Sequence, residues 1–337
     1  MRKFLAIVTI LGLSACAAGA TASNAPGAAQ VVPQVAEASS SPTVPVLGGC
    51  QMFPAPAAKP TGESWFNVDI SNYPLDPKSA TYIAHLGGNL HPDFGIPQYG
   101  IPINIVPANQ PKVPVTFLNY PSSSNPGPYP IPPNAQIEGE PPIVSYGDRH
   151  VLVLQEGVCK LYEMWEGVEI DHGKRWEAAN GAVFNLKTGA LRPAGWTSAD
   201  AAGLPITPAL INCQEVKAGA INHAVRVTFE NTYAGYVLPA THEAGDPSKP
   251  YLPPMGERFR LKASFDISSY YTGQARIILT ALKKYGFIVA DNGSNWFFQG
   301  QGGTPAKCWN NNELNELKSV PGTAFEAVYT GPIHKGE

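Results

Sequence analysis

The sequence predicts a mainly β fold, a single β-sandwich or jelly-roll-like domain with two or three peripheral helices. Three observations carry this expectation. Gly and Pro number 33 and 34 of 337 residues, about a fifth of the chain and well above their usual share, which excludes a fold of long helices. Short alternating or β-branched runs recur from Trp65 onward, each closed by turn residues. The clearest helical periodicity is at Gln274 to Tyr285, where Ala275, Ile278, Leu279 and Leu282 share one face and Gly286 stands at the stop.

The N-terminus reads as an export leader. Arg2 and Lys3 precede an apolar run from Phe4 to Leu13, followed by Leu13-Ser14-Ala15-Cys16. The apolar run is too short for a membrane span. A cysteine directly after small residues resembles the lipobox of bacterial lipoproteins. That resemblance implies that Cys16 becomes a diacylated N-terminus and that the protein works in the bacterial cell envelope, outside the cytoplasm, held to the membrane by its lipid alone. Residues 1–15 are then the leader, and 16–49 a lipidated linker. The linker is Ala, Ser, Pro, Gly, Val and Thr with one charge, Glu37, and no aromatic residue, too little apolar surface to offset the entropy of ordering. A single β-rich domain is expected over 50–337.

The formal net charge is −3, and it becomes more negative when Arg2 and Lys3 leave with the leader. A mildly acidic chain argues against nucleic acid as a partner. Beyond Cys16, four cysteines remain: Cys50, Cys159, Cys213 and Cys308. An even number in an oxidising compartment suggests two disulfides with three possible connectivities. Cys50–Cys159 with Cys213–Cys308 is favoured, because Cys50 opens the domain and Cys159 lies in its central hairpin. No CxxC or CxxH spacing occurs, so no cysteine zinc site is expected, and no metal or cofactor is assigned.

In the first part of the domain, Trp65 to Ile70 reads as a strand and Pro77 to Leu86 as a short helix with Pro at its start. Strands at 99–106 and 113–118 belong at sheet edges, given Pro102 and Pro114. Residues 121–133 form a proline-rich loop. Further strands are expected at 149–155, 158–165, 181–186, 221–229, 233–239 and 258–266. Phe287 to Ala290 is a buried strand after the 274–285 helix, and Asn312 to Lys318 a second short helix with Asn as its N-cap.

The sharpest chemical signal is the hairpin from Asp148 to Trp165. With Glu156-Gly157 as a two-residue turn, Gln155 pairs with Val158, His150 lies opposite Glu163, and Asp148 lies opposite Trp165. These four side chains then share one face. Asp148 and Glu163 become a diagonal pair about 7 Å apart, a separation suited to two catalytic carboxylates on a sugar, with His150 between them. The alternative is a His–Glu pair at a sheet edge. Within Leu191 to Asp200, the Thr197–Asp200 spacing fits a capping box; the functional alternative puts Trp196 and Asp200 at the mouth of a sugar site. His223 alternates with Ile221, Val225, Val227 and Phe229, which reads as a core histidine or as a base. Arg226 stands on the polar face of that strand, where it could meet a substrate carboxylate. Arg258, Arg260 and Lys262 share one side of a strand, a solvated face or an anion-binding one. Asp291-Asn292-Gly293 reads as a turn leading to an exposed Trp296, and it lacks EF-hand spacing. No GxSxG, HExxH, GxGxxG or P-loop pattern occurs, which disfavours elbow-type serine hydrolases, zincins, dinucleotide enzymes and NTPases.

Several phrases, among them GDRHVLVL, CKLYE, ALRPAGWTSADAAGLP, INHAVRVTF, PPMGERFRLKASFDIS and ALKKYGFIVADNGSNW, resemble a family of secreted bacterial β-rich proteins. The resemblance spans most of Cys50 to Val328 and implies one domain; it carries no site residue. The residues themselves point first to a glycoside hydrolase acting on a polysaccharide or oligosaccharide. Glu163 and Asp148 would then be the catalytic carboxylates, tuned by His150, with Trp165, Trp176 and Trp196 stacking on sugar rings and Asp200, His223 and Arg226 lining the site. A polysaccharide lyase and a non-catalytic glycan-binding lipoprotein are the alternatives. For the anchor, Cys16→Ser is expected to release the protein from membranes or to leave it unprocessed, because the acyl chains supply its membrane affinity. Equal labelling of wild type and variant by a fatty-acid probe would refute this.

Overall fold

The computed structural model describes residues 44–53, 64–95, 99–139, 147–303 and 307–336; the leader, Cys16 and most of the linker lie outside them. All described residues fall in one unit, Ser41–Glu337. Its organising element is the strand Val151–Gln155, whose residues are buried on both faces. It lies inside a four-stranded sheet with the spatial order Asn180–Asn185, Lys160–Trp165, Val151–Gln155, Ile103–Val106. Successive strand side chains point to opposite faces, so this sheet feeds two cores. Ile103, Leu152, Leu154, Leu161, Ala182 and Phe184 join the main core. Val106, Val151, Val153, Tyr162 and Met164 pack instead with Trp176, Ala178 and Tyr129. The second core is closed by the three-stranded sheet Val115–Phe117, Arg175–Ala178, Val168–Ile170.

The main core is shared with a six-stranded sheet. Its order is Phe325–Val328, Arg258–Leu261, Phe287–Asn292, Val225–Phe229, Phe297–Phe298, His91–Pro92. The fold is therefore mainly β and layered, as expected, with four short α-helices among the described residues. Parallel pairing was not legible beforehand: Val225–Phe229 runs parallel to Phe287–Asn292, and Ile103–Val106 parallel to Val151–Gln155. The edge assignments hold, because Ile103–Val106 and Val115–Phe117 each end a sheet. Both strands have a proline just before them, at Pro102 and Pro114, where no ladder donor is lost.

The longest helix, Gly273–Lys284, buries Ala275, Ile278, Leu279 and Leu282, the face given by its periodicity. It stops where Gly286 takes φ +67°, a left-handed conformation; a Cβ there would also sit 2.3 Å from the Phe259 carbonyl oxygen. The short helix Asn311–Glu316 is capped by Asn310, whose side chain accepts from the Asn312 N–H. A helix not anticipated, Cys213–Ala218, carries a full capping box between Asn212 and Glu215 and closes at Gly219 with φ +80°.

Three expectations fail locally. Trp65 to Ile70 is a turn followed by irregular chain, not a strand; its Phe66 and Ile70 are fully buried, and its backbone bonds go to Ala224 and Lys284. Trp296 is buried rather than exposed. Its ring meets Phe229 at 5.0 Å and 86° and Phe259 at 5.7 Å and 80°, both edge-to-face, and Phe325 at 5.0 Å in a tilted contact, a cluster within the main core. Arg258 is also internal. Its guanidinium donates to the carbonyls of Phe287, Trp65 and Tyr285, while Arg260 pairs with Glu326 at 2.8 Å. These arginines tie the chain together and present no anion-binding face.

The two disulfides are Cys50–Cys159 and Cys213–Cys308, the favoured connectivity. Each closes a loop of about a hundred residues, 109 and 95 apart in sequence. The first fastens the N-terminal Cys50–Gln51 strand to the central hairpin. Non-reducing peptide mapping is expected to return these two pairs. Removal of either by paired Cys→Ala substitution should cost about 2–5 kcal/mol in denaturant titration; four free thiols would contradict the assignment.

Candidate functional site

The central hairpin is built differently from a two-residue turn. Gln155 pairs with Lys160, Leu152 with Glu163 and Val151 with Met164, so the connection is the four-residue stretch Glu156–Cys159. Gly157 and Cys159 both take positive φ in that stretch. The register is displaced by two residues, which keeps every side chain on its expected face but moves Glu163 away from His150. The residues just beyond the Val151–Met164 pair are His150 and Trp165.

Glu163 is fully buried. Its carboxylate accepts from the Ile206 N–H at 2.8 Å, the Thr207 N–H at 2.9 Å and the Thr207 hydroxyl at 2.7 Å. Burial raises its pKa against these three bonds. Glu163 thus caps the short 3-10 turn Thr207–Ala209. Asp148 is exposed, so the expected Asp148–Glu163 catalytic pair does not share a concavity.

The ionisable groups converge elsewhere. Arg226 lies on a strand buried along its whole length, where an unpaired guanidinium would be prohibitive. Its Nε donates to Asp200 Oδ2 at 3.1 Å, one terminal nitrogen bonds Asp200 Oδ1, and the other bonds Gln299 Oε1. This two-pronged geometry suits a planar guanidinium and a carboxylate. Although burial opposes its charge, Arg226 is raised above its ordinary value by Asp200, with smaller help from Asp291 and Glu138. The Gln299 side chain continues the chain of bonds to Asp93, whose carboxyl is raised by burial. Asp200 is thus no helix cap, and Arg226, only 3% exposed, cannot reach a substrate carboxylate.

Asp291 Oδ2 lies 4.0 Å from the Arg226 nitrogen that holds Asp200. Asp291 reaches this point through a β-bulge: Val227 pairs with Val289 but Thr228 with Asp291, leaving Ala290 unmatched. Bulges of this kind re-aim side chains next to functional sites. The side chain is 26% exposed. Burial, then the charge of Asp200, push its pKa up to about 7 against Arg226 and His150.

A second group stands beside the first. The Glu138 N–H donates to the His150 carbonyl at 3.0 Å, and Glu138 Oε2 accepts the His150 N–H at 3.2 Å. This straps the 138 loop onto the start of the Val151–Gln155 strand. His150 Nδ1 lies 2.5 Å from the same Oε2, and Nε2 lies 3.1 Å from the Ala199 carbonyl oxygen. Burial opposes the imidazolium, but Glu138 dominates with help from Asp148 and raises His150 to about 9. Despite its own burial, Glu138 is lowered by His150. Ligand atoms of Glu138, Asp148 and His150 all lie within 4.8 Å of one another. Trp165 Nε1 donates to Asp148 Oδ1 at 3.4 Å, and the exposed Tyr120 ring lies 6.2 Å from the Trp165 ring. Asn119, Gly147, Glu166 and Glu177 line a depression of about 410 Å³ next in sequence to Tyr120, Asp148 and Trp165.

One loop couples the two groups. Ser198 Oγ donates to the Leu204 carbonyl at 2.6 Å and accepts the Asp200 N–H at 3.0 Å, giving 197–204 a tight internal fold. That fold presents the Ala199 carbonyl to His150 and the Asp200 carboxylate to Arg226. Ala202 N–H bonds the carbonyl of the bulged Ala290, and His242 Nδ1 bonds the Ala201 carbonyl.

Other expected contributors lie apart or inside. His223 is buried, its ring nitrogens engaged by Ala224 O at 2.7 Å and Glu215 Oε1 at 3.0 Å, a satisfied core histidine. Trp176 is 2% exposed within the second core and cannot stack on a sugar. Trp196 is half-buried with the Arg192 guanidinium 5.3 Å from its ring centre. Glu138, Asp93, Asp291 and Gln299 had no sequence signal of their own: Glu138 lies in a loop, and Asp291 reads as part of a turn.

The Glu163 geometry sets an expectation. Glu163→Gln replaces an acceptor oxygen with an NH2 facing N–H donors, and should lower stability by about 1–3 kcal/mol in urea titration. An unchanged midpoint would refute the capping role. No family model matches this chain, and no curated protein or solved structure shows significant similarity to it.

Proposed function

We propose that this protein is a lipid-anchored envelope enzyme that hydrolyses glycosidic bonds in a polysaccharide or oligosaccharide, with Asp291 as its proton donor. The observation that carries this is the unequal pair of carboxyls on Arg226. Asp200 is fully buried and held two-pronged by the guanidinium, while Asp291 is partly exposed and 4.0 Å from it. Two carboxyls in such unequal surroundings, one locked on the guanidinium and one reaching solvent, divide the labour of acid–base chemistry. Burial raises the Asp200 carboxyl against the pull of Arg226, the two-pronged guanidinium favours its ionised form, and that charge helps keep the Asp291 proton in place. An Asp291 carboxyl with a pKa of about 7 can give a proton to a leaving sugar oxygen near neutral pH. Asp148, exposed beside Trp165, is the ionisable partner able to activate water. The Tyr120–Trp165 pair supplies an apolar face for a sugar ring, and the Asn119–Glu177 depression supplies hydroxyl partners for a neighbouring unit.

Arg226 cannot neutralise a uronate, so the lyase reading loses its cation. The non-catalytic alternative keeps one specific support, the pair of exposed Tyr120 and half-buried Trp165, which suffices for binding. The membrane anchor rests on Cys16 and its resemblance to a lipobox.

A polysaccharide panel with product detection distinguishes these readings. Turnover should hold on the acid side and fall as pH rises through about 7, because the donor loses its proton there. Asp291→Asn should lower turnover by about 10²-fold or more with unchanged circular dichroism and retained glycan affinity. Full turnover in this variant would remove Asp291 from the mechanism; glycan binding by wild type without any product would establish the binding protein instead.

A further inference from the structure

We infer that Glu138, His150 and Asp148 form a binding site for one divalent transition-metal cation of the zinc class. This inference shares Asp148 with the proposed hydrolytic site, and its test reads metal binding, not glycan turnover.

The first argument is the orientation of His150. Its Nε2 faces the Ala199 carbonyl at 3.1 Å, and a carbonyl oxygen only accepts, so Nε2 carries a hydrogen. In the neutral ring the other nitrogen, Nδ1, then holds a bare lone pair. At 2.5 Å from the Glu138 carboxylate, Nδ1 carries the proton of a hydrogen bond; removal of that proton leaves its lone pair facing Glu138, with Asp148 completing a group within 4.8 Å. Three electron-pair donors facing one another need a cation between them, either a proton on Nδ1 or a metal ion. An imidazole whose far N–H is fixed by a backbone carbonyl is the arrangement that orients metal-ligating histidines.

The second argument is dimensional. Zinc binds imidazole nitrogen at about 2.0–2.1 Å and carboxylate oxygen at about 2.0–2.2 Å. Ligand atoms on such a sphere lie roughly 3–4 Å apart, so Glu138 must withdraw from Nδ1 by about 0.5–1.5 Å. Glu138 is 22% exposed and Asp148 lies on the surface, so both can move, while His150 is held at 3% exposure.

The third argument is charge. Asp93, Glu138, Asp200 and Asp291 all act on this neighbourhood, with Asp148 beside them. Two permanent cations stand near: Arg226, which Asp200 engages, and Arg149, whose Nε donates to the Gly167 carbonyl. The acidic excess favours a divalent ion. The donor set selects its class: imidazole with carboxylates suits zinc or manganese, whereas calcium takes oxygen donors alone. Three protein ligands leave a fourth position open for water or a substrate oxygen.

Titration of the chelator-stripped full chain with Zn²⁺ or Mn²⁺, read by calorimetry and by competition with a chromogenic chelator, tests the site. One equivalent should bind saturably. Asp148→Asn, a surface change that leaves the core intact, and Glu138→Gln should each weaken binding about tenfold or more. Asp171→Asn, a surface carboxylate paired with Arg175, should leave the affinity unchanged. Co²⁺ in place of zinc should give visible absorption of a low-coordinate site, lost in Asp148→Asn. Absence of one-equivalent binding, affinities in Asp148→Asn and Glu138→Gln equal to wild type, or a preference for Ca²⁺ would each overturn the assignment. None of these results bears on whether Asp291→Asn loses turnover.

Discussion

Arg226 is the interaction on which the rest of the site depends. A guanidinium in the middle of a buried strand is tolerable only if every donor finds an acceptor, and here Asp200 and Gln299 provide them. Those partners come from different parts of the chain: Asp200 from the loop before the buried strand, Gln299 from the segment after Trp296. Satisfying one charge therefore fixes the positions of several segments at once. Loss of one member of such a pair typically costs about 3–5 kcal/mol, because its partner stays buried and charged. Asp291 shares this charge without being consumed by it, which keeps it available for chemistry.

The site sits on rigid elements. Arg226 and Asp291 belong to adjacent parallel strands of the six-stranded sheet, and His150 leads into the doubly buried Val151–Gln155 strand of the other. Under the first sheet lies the Trp296 aromatic cluster, and beside the second the Cys50–Cys159 bridge ties down the hairpin loop. The 197–204 loop spans the two sheets, with one carbonyl on His150 and one carboxylate on Arg226. The loop is thus fastened at two neighbouring positions, 199 and 200, by the two groups.

Glu163 shows how a burial pattern can mislead. An acidic residue on the inward face of a strand invites a catalytic reading, yet its two oxygens meet three donors from the 206–207 turn. A carboxylate so engaged fixes a loop. The same lesson runs in reverse for Asp291, which reads as turn chemistry and ends beside the buried Arg226–Asp200 pair.

The sequence by itself determined the β-rich layered class, the edge strands next to Pro102 and Pro114, the buried face of the Gly273–Lys284 helix and its stop at Gly286. These follow from local periodicity and backbone preference, which act within a few residues of one another. It also marked the His150 hairpin as chemically loaded and gave the parity of its faces, which survived because the true register differs by two. Tertiary structure alone decided the register, since a four-residue connection constrained by the Cys159 bridge replaced the tight turn. It alone brought Glu138 to His150 and set Asp200, Gln299 and Asp291 around Arg226. Residues 26, 65 and 73 positions from their partners leave no periodic trace, because what pairs them is the cost of burying a charge unpaired, a quantity fixed only when the sheets close.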